Sequence, residues 1–230
     1  MSISPKMALL EEYALVARAL SAPARLMLLE QLAQGERGVE ALAEKTGLTV
    51  ANCSQHLQQL RRSGLVTSRR DGKAVIYRLT DARTQTLLGV LGEVAERNLA
   101  QVKDILRGLS LGEDAPEPIN RDELSARLAE GSITVLDVRP ADEFADGHIP
   151  GAVNMSVAEL DQFLAAFDRN SEIVAYCRGP YCVYAHQAVA FLRKNGFNAR
   201  RMEGGLPEWR EDGRAVRSAY RSTKASFAEP

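Results

Sequence analysis

Two cysteines that flank a short loop are the residues best placed to do chemistry. Cys177 directly follows the apolar run 173–176, which predicts a buried strand, and Cys182 precedes apolar residues at helical spacing. Between them, Gly179 and Pro180 indicate a loop. A cysteine between a strand end and a helix N-terminus lies near N–H groups and a dipole that favour a thiolate or a bound anion. This context predicts a nucleophilic Cys177; the alternative is a buried structural cysteine, which is common for a lone thiol.

Three ordered motifs surround this loop over residues 122–209. The first motif consists of residues 136–140, Glu143, Phe144 and residues 147–154. The second is residues 177–182, and the third is residues 204–209. Together they resemble the rhodanese family, in which the loop cysteine accepts a sulfane sulfur and carries it as a persulfide. The resemblance makes Cys177 the candidate catalytic residue. The last loop position, often Arg in that family, is here Cys182.

The other loop residues fit this chemistry. Arg178 is the nearest cation in sequence and is expected to lower the pKa of the nucleophile and to attract an anionic sulfur donor such as thiosulfate. Cys182 supplies a second thiol that can resolve a persulfide into a disulfide, which suits a switch better than a turnover enzyme. Gly179 completes the loop, and Pro180 and Tyr181 shape its rim. The expected ligand is a small sulfur-containing anion or a persulfide donor.

Residues at an earlier strand end are expected to support the loop. Asp137 can orient loop N–H groups, and Arg139 can pair with that carboxylate. His148 is expected to stabilise a turn. Phosphatases related to this fold need an Arg where this sequence has Val183, so the clamp required for phosphoryl transfer is missing.

The N-terminal half has a mostly helical pattern. Helices are predicted over residues 7–20, 23–34 (with Ser21 as the N-cap), 39–45, 50–62 and 81–109. The third and fourth are joined by a turn that contains Gly47, as in a helix-turn-helix. Strands over 65–70 and 74–79 around Asp71 and Gly72 predict a hairpin that forms a wing. The last helix is long for so small a domain, so its apolar stripe is expected to pair with a second copy; the alternative is packing wholly on its own domain.

This half resembles the ArsR family of winged-helix repressors over residues 7–107. The resemblance rests on residues 20–25, 54–60, 64–66 and 69–73. It implies a homodimer bound to double-stranded operator DNA, with the second helix of the motif in the major groove, where Asn and Gln can pair with adenine. For His56 a packing or phosphate contact is the commoner role, and metal ligation is the less common alternative. The expected DNA-binding residues are Thr49, Asn52, Ser54, Gln55, His56, Gln59, Arg69, Arg70 and Lys73.

Charge is distributed unevenly over the chain. Hydrophobic residues make up 45% and charged residues 26%, as in ordinary globular proteins, and the net charge is -1. Residues 1–108 carry 15 Lys and Arg against 11 Asp and Glu. Residues 61–78 hold six basic side chains against the single acid Asp71. Such a cluster is either a solvated face or a surface that contacts phosphates.

Cysteine and hydropathy patterns exclude several classes of protein. Three cysteines give no disulfide framework. Cys53 has no nearby thiol, and residues 83–109 contain neither His nor Cys, so we expect no metal site, no cofactor and a buried Cys53. No apolar run approaches the ~18 residues of a transmembrane helix, and the N-terminal residues do not resemble a secretion signal. A cytoplasmic protein without a membrane partner is expected.

The sequence therefore predicts two domains. Residues 1–109 form a mostly-α winged helix-turn-helix domain for DNA binding and dimerisation, residues 110–120 a linker, residues 121–216 an α/β rhodanese-like domain with a parallel sheet between helices, and residues 217–230 a tail. Two functions remain open. The first is a transcriptional repressor whose Cys177 senses or transfers sulfane sulfur. The second is a thiosulfate or persulfide sulfurtransferase whose DNA-binding half regulates or localises it.

Overall fold

The structure is a computed structural model that describes residues 4–109, 116–169, 171–179 and 182–218. Most of the predicted linker and tail, residues 110–115 and 219–230, lies outside the described residues. The chain forms two compact units, which divide between Glu93 and Val94. No helix in the described part of the chain is both long enough and apolar enough to cross a membrane.

The first unit begins with two helices whose boundaries follow local chemistry. Helix α1 spans Pro5–Leu20 and helix α2 spans Pro23–Gln34, with Pro23 in the first turn as predicted. The prediction that Ser21 caps α2 is wrong. Its hydroxyl instead donates to the carbonyl oxygen of Arg18 at 2.8 Å, which satisfies an orphan acceptor at the end of α1.

A helix-turn-helix follows. A short strand β1 (Arg37–Gly38) leads to α3 (Val39–Thr46) and α4 (Val50–Arg62). Gly47 ends α3 with a positive φ of 68°, a conformation that glycine adopts without steric cost, and the Thr49 hydroxyl accepts a hydrogen bond from the Asn52 amide at the start of α4. These two caps define the turn predicted from the sequence.

The wing is a hairpin of β2 (Val66–Asp71) and β3 (Ala74–Leu79). Asp71 pairs with Ala74, so the two turn residues are Gly72 and Lys73, one position later than predicted. Gly72 has a φ of 57°, which suits a tight hairpin turn. Strand β1, which was not predicted, pairs with β3 on its other side.

The long helix predicted over residues 81–109 is two helices. Helix α5 spans Ala82–Asn98 and α6 spans Ala100–Leu109, with Leu99 between them. On α5, four apolar side chains are partly exposed: Leu87, Val90, Leu91 and Val94. Helix α1 also carries exposed apolar side chains, at Met7, Leu9, Leu10 and Tyr13.

The second unit contains a four-stranded parallel sheet. Its strands are β4 (Ile133–Asp137), β5 (Val153–Asn154), β6 (Glu172–Tyr176) and β7 (Ala199–Arg201), in the spatial order β5-β4-β6-β7. The helices of this sheet are α7 (Arg121–Ala129), α8 (Ala141–Asp146), α9 (Leu160–Phe163), α10 (Val183–Lys194) and α11 (Leu206–Glu211).

Side chains of the central strands alternate between two buried clusters. Ile173 and Ala175 of β6 pack in a core with α10, whereas Val174 and Tyr176 face a second core that contains Trp209 of α11. A strand buried on both faces explains the continuous apolar run in the sequence. Helix α6 also packs against α10 within this unit. The predicted α/β architecture with helices on both faces is confirmed.

Candidate functional site

The candidate active site is the loop between β6 and α10. Strand β6 ends at Tyr176, Cys177 follows, and Cys182 is the N-cap residue of α10. A disulfide joins Cys177 to Cys182, and their Cα atoms are 6.1 Å apart, within the usual range for such a bond. Both side chains are buried. The predicted rim residues Pro180 and Tyr181 lie outside the described residues.

The backbone of Gly205 and Leu206 forms one wall of the loop. The Leu206 amide donates to the Cys177 carbonyl oxygen at 3.1 Å. A Cβ atom placed on Gly205 would lie 2.4 Å from the amide nitrogen of Gly179 and 2.6 Å from that same carbonyl oxygen. The loop and residues 205–206 can lie this close together only because Gly205 has no side chain.

Arg178 is held by a buried carboxylate that the sequence analysis did not identify as functional. Glu143, in the first turn of α8, has a fully buried side chain. Its oxygens accept hydrogen bonds from Arg178 Nη2 at 2.8 Å and from Nε at 3.0 Å. The only sequence signal was the position of Glu143 within the second part of the first rhodanese motif. The cation next to Cys177 is therefore paired within the domain.

Asp137 and Arg139 form a buried ion pair at the end of β4. Arg139 Nη2 donates to Asp137 Oδ2 at 2.6 Å, and Nε donates to Oδ1 at 3.0 Å. Burial opposes the charge on Arg139, but hydrogen bonds and the charge of Asp137 raise its pKa. Arg139 also donates to the carbonyl oxygen of Gly147 at 2.7 Å. The pair thus fixes the turn after α8.

Tyr176 connects this pair to the strand that carries Cys177. Its hydroxyl donates to Asp137 Oδ2 at 2.5 Å and accepts a hydrogen bond from the Ile149 amide at 3.1 Å. Burial and the Asp137 charge raise the pKa of Tyr176 well above its ordinary value, so the hydroxyl stays protonated and donates. His148 stacks on Phe144 with ring centroids 3.7 Å apart, and its Nδ1 is 2.8 Å from the Phe144 carbonyl oxygen. His148 therefore has the turn contacts expected of it.

In the first unit, α4 has one buried face and one exposed polar face. Cys53, Leu57 and Leu60 are fully buried at helical spacing. The opposite face exposes Asn52, Gln55 and Gln59, and Thr49 is exposed at the helix start. Ser54 and His56 are half-buried, and in the described part of the chain no hydrogen-bond partner reaches the buried His56 Nδ1. This exposed face is the one that the sequence predicts to enter the major groove.

Two of the predicted DNA-binding residues, Gln59 and Arg69, bind charged side chains from other parts of the first unit. Arg25 Nη1 donates to Gln59 Oε1 at 2.7 Å, and its other nitrogens donate to the carbonyl oxygens that end α1. Arg69 of β2 pairs with Glu36 at 2.7 Å and with Asp71 at 3.1 Å, and these hydrogen bonds raise its pKa. Arg70 and Lys73 are exposed on the wing.

Cys53 has the surroundings of a structural thiol. Its side chain is fully buried, its Sγ lies 3.6 Å from the Val39 carbonyl oxygen, and burial raises its pKa. A protonated, enclosed thiol is a poor nucleophile. Within the described ranges, no three His, Cys, Asp or Glu side chains cluster as metal ligands would.

Comparison with known proteins identifies both halves. The family model of the arsR family of bacterial regulatory proteins matches residues 22–68, and the rhodanese-like domain model matches residues 120–212. The HTH-type transcriptional regulator Rv0324 of Mycobacterium tuberculosis is 43% identical over 212 residues, which cover 92% of each chain.

Two solved structures each match one half. A homodimeric winged helix-turn-helix DNA-binding domain from Mycobacterium bovis is 39% identical and covers 44% of this chain and 94% of its own, with a TM-score of 0.40. A rhodanese-related protein from Thermoplasma volcanium is 30% identical and covers 44% of this chain and 97% of its own, with a TM-score of 0.40. Because the match to the mycobacterial regulator runs through both halves, the chain belongs to the ArsR family of helix-turn-helix transcriptional regulators and carries a C-terminal rhodanese-like domain.

Proposed function

We propose that this regulator binds operator DNA in the cytoplasm as a homodimer and that its rhodanese-like domain senses sulfane sulfur at Cys177. In this proposal residues 1–109 bind DNA and dimerise, and residues 121–216 carry the sulfur chemistry. The observation that carries the proposal is the placement of Cys182 within disulfide reach of Cys177, at the end of a rhodanese loop.

The proposed chemistry has two steps that balance without an added oxidant. The Cys177 thiolate attacks the outer sulfur of a donor RS–SH, so that a Cys177–S–SH persulfide forms and RS⁻ leaves. The Cys182 thiolate then attacks the Cys177 sulfur, the disulfide forms, and HS⁻ leaves. The sulfane sulfur is the species reduced, and the two cysteine thiols are oxidised. The second step forms a bond between the same two sulfur atoms that the structure joins.

The second cysteine favours a sensor over a sulfurtransferase. An enzyme that passes sulfur to an acceptor must keep its persulfide until the acceptor arrives. Here the neighbouring Cys182 consumes the persulfide and leaves a disulfide. In reducing compartments, disulfides are usually transient and serve catalysis or redox sensing. The same bond is therefore a signal that the donor has been present.

Exposed apolar faces support the homodimer. Leu87, Leu91 and Val94 lie along one side of α5 and are 38%, 39% and 53% exposed, and Tyr13 on α1 is 61% exposed. Apolar patches of this kind usually mark an interface. We expect the full-length protein to sediment as a dimer and Leu91→Lys to sediment as a monomer. A wild-type protein that is monomeric at micromolar concentration contradicts this part of the proposal.

The exposed polar face of α4 and the wing support operator binding. We expect Gln55→Ala to change base preference by about 1–3 kcal/mol at one position, because a bidentate contact to adenine discriminates between bases. We expect Lys73→Ala to weaken binding to all sequences and to lower the salt slope, because phosphate contacts carry no base information. If Gln55→Ala and Lys73→Ala both weaken binding to all DNA sequences equally, base recognition lies in residues other than Gln55.

Mass spectrometry tests the sulfur chemistry directly. The reduced protein is treated with cysteine persulfide, and wild type is compared with Cys177→Ser, Cys182→Ser and the control Cys53→Ser. Wild type and Cys53→Ser should form the loop disulfide and release hydrosulfide, Cys182→Ser should accumulate a persulfide on Cys177, and Cys177→Ser should do neither. Disulfide formation without hydrosulfide release, or sulfur added mainly to Cys53, would refute the proposed sequence of steps.

A further inference from the structure

We propose that Arg25 sets the angle between α1 and α4, and that Gln59 serves this contact and does not read bases. The inference rests on the proposed homodimer, in which the exposed apolar face of α1 lies at the interface. In such a dimer the two copies of α4 enter the major groove about 34–36 Å apart. The angle of α4 relative to the interface therefore decides which spacing of operator half-sites the protein accepts.

The side chain of Arg25 is bound to the end of α1. Its Nη2 donates to the Arg18 carbonyl oxygen at 2.6 Å, and its Nε donates to the Ala19 carbonyl oxygen at 2.5 Å. Carbonyl groups in the last turn of a helix lack partners within the helix and carry the negative end of its dipole. A guanidinium suits them, because it is always charged and its N–H donors have a fixed geometry.

The third nitrogen of the same side chain reaches α4. Arg25 Nη1 donates to Gln59 Oε1 at 2.7 Å, across 34 positions in the sequence. Because the guanidinium is planar and rigid, its contacts with α1 and with α4 are fixed relative to each other. A bidentate contact to adenine uses both the oxygen and the nitrogen of a Gln amide. Here the oxygen is bound to Arg25, so the fold determines how this amide is oriented.

An apolar core also joins the two helices. Ala19 of α1 is buried in the same cluster as Leu57 and Leu60 of α4. Burial of apolar surface is non-directional, whereas a hydrogen bond requires a particular distance and angle. Removal of the polar contact should therefore leave the helices packed together and loosen the angle between them.

The test compares operators with different half-site spacing. Full-length wild type, Arg25→Ala, Gln59→Ala and the double variant are titrated with an inverted-repeat duplex that wild type selects from a random-sequence pool. Further duplexes have one base pair added or removed at the centre, which moves a half-site by about 3.4 Å along the axis and about 34° around it.

We expect wild type to bind the altered duplexes at least about tenfold more weakly, because a displaced half-site loses base contacts. In each variant this ratio should fall below about threefold, because a loosened α4 can follow the displaced half-site. The Kd for the selected duplex should rise by about tenfold, as it does when about one tenth of the molecules hold the bound orientation. The double variant should lose no more than Arg25→Ala, because the two residues share one contact.

Gln58→Ala is the matched control, because it makes the same change at the adjacent exposed position of α4. It should keep the wild-type spacing preference, and sedimentation should show that all variants remain dimers. If Arg25→Ala does not fold, Gln59→Ala gives the same test at an exposed position.

Two results would overturn the inference alone. The first is an unchanged spacing preference in Arg25→Ala with a salt slope lower by about 1, which would make Arg25 a phosphate contact. The second is a Gln59→Ala variant that keeps the spacing preference and changes base preference at one position, which would make Gln59 a base reader. If wild type selects no duplex or binds all spacings equally, the proposed binding of a dimer to an operator fails together with the inference.

Discussion

A methyl group on Gly205 should displace the active-site loop. Gly205 has a φ of -150°, which alanine adopts without strain, so Gly205→Ala changes only the space available. The new Cβ would lie 2.4 Å from Gly179 N, 2.6 Å from Cys177 O and 2.7 Å from Arg178 C. All three are backbone atoms of the loop. No rotamer change can relieve the overlap, so the loop or the start of α11 must move.

The size of the effect follows from these distances. Ordinary contacts between non-bonded carbon atoms are about 3.5–4.0 Å long, so the overlap is about 1 Å with each of three atoms. Overpacking of a well-packed site typically costs about 1–3 kcal/mol. Because rigid backbone lies on both sides, we expect a cost near 3 kcal/mol in this unit, which lowers the Tm of a domain of this size by more than about 10 °C.

The single tryptophan makes the assay specific to this unit. Trp209 is buried in α11, so its fluorescence follows unfolding of the rhodanese-like domain and not of the DNA-binding half. The alkylation rate of Cys177 in the reduced protein is measured in parallel. Gly108→Ala is the control, because a Cβ there meets no atom within 4 Å. If Gly205→Ala melts and reacts like wild type, the proposed backbone wall is wrong.

Three further predictions concern buried and paired groups. Tyr176→Phe removes the hydroxyl that donates to Asp137, and we expect urea titration to show a loss of about 1–3 kcal/mol in the C-terminal unit. Arg200 lowers the pKa of Glu123, so the folded state binds fewer protons than the unfolded state. The stability of the wild type should therefore fall as the pH drops below the ordinary carboxyl range near about 4. In thermal melts, the Tm of Glu123→Gln should fall less than that of the wild type over the same pH range. Burial raises the pKa of Cys53, so iodoacetamide should label it slowly in the folded, reduced protein, as peptide mass spectrometry would show.

Local signals explain why much of the fold was predictable. The apolar run before Cys177 is buried on both faces, and Gly47 and Thr49 mark the helix-turn-helix turn by their own backbone preferences. Each of these signals involves residues near one another in sequence. Elements of this kind can be located from periodicity, glycine and capping residues alone.

Contacts between distant residues explain what the sequence did not predict. Glu143 pairs with Arg178 across 35 positions, and Gly205 meets loop residues that lie much earlier in the chain. The helix break at Leu99 has no Pro beside it, so the apolar spacing in the sequence predicted one continuous helix. The hairpin turn moved by one residue because Asp71 pairs with Ala74 instead of entering the turn. Tertiary contacts account for the first two of these features, and the last two are local departures from the sequence pattern.

A link between the two activities requires a structural connection within the chain. Cys182 is the N-cap of α10, α10 packs against α6, and α6 follows α5 after the single residue Leu99. We propose that this continuity of the chain is the route by which a change at the loop affects DNA binding. Coupling of this kind between two ligands is reciprocal and typically amounts to about 1–3 kcal/mol.

Operator affinity measured before and after sulfur loading tests the central claim most directly. Full-length wild type, Cys177→Ser and Cys182→Ser are each titrated with the same operator, first reduced and then after treatment with cysteine persulfide. We predict that treatment changes the wild-type Kd by about 5–150-fold and leaves Cys177→Ser unchanged. Comparison of wild type with Cys182→Ser then shows whether the persulfide or the disulfide is the signal. Equal Kd values for reduced and treated wild type, with the loop disulfide verified by mass spectrometry, would contradict the account.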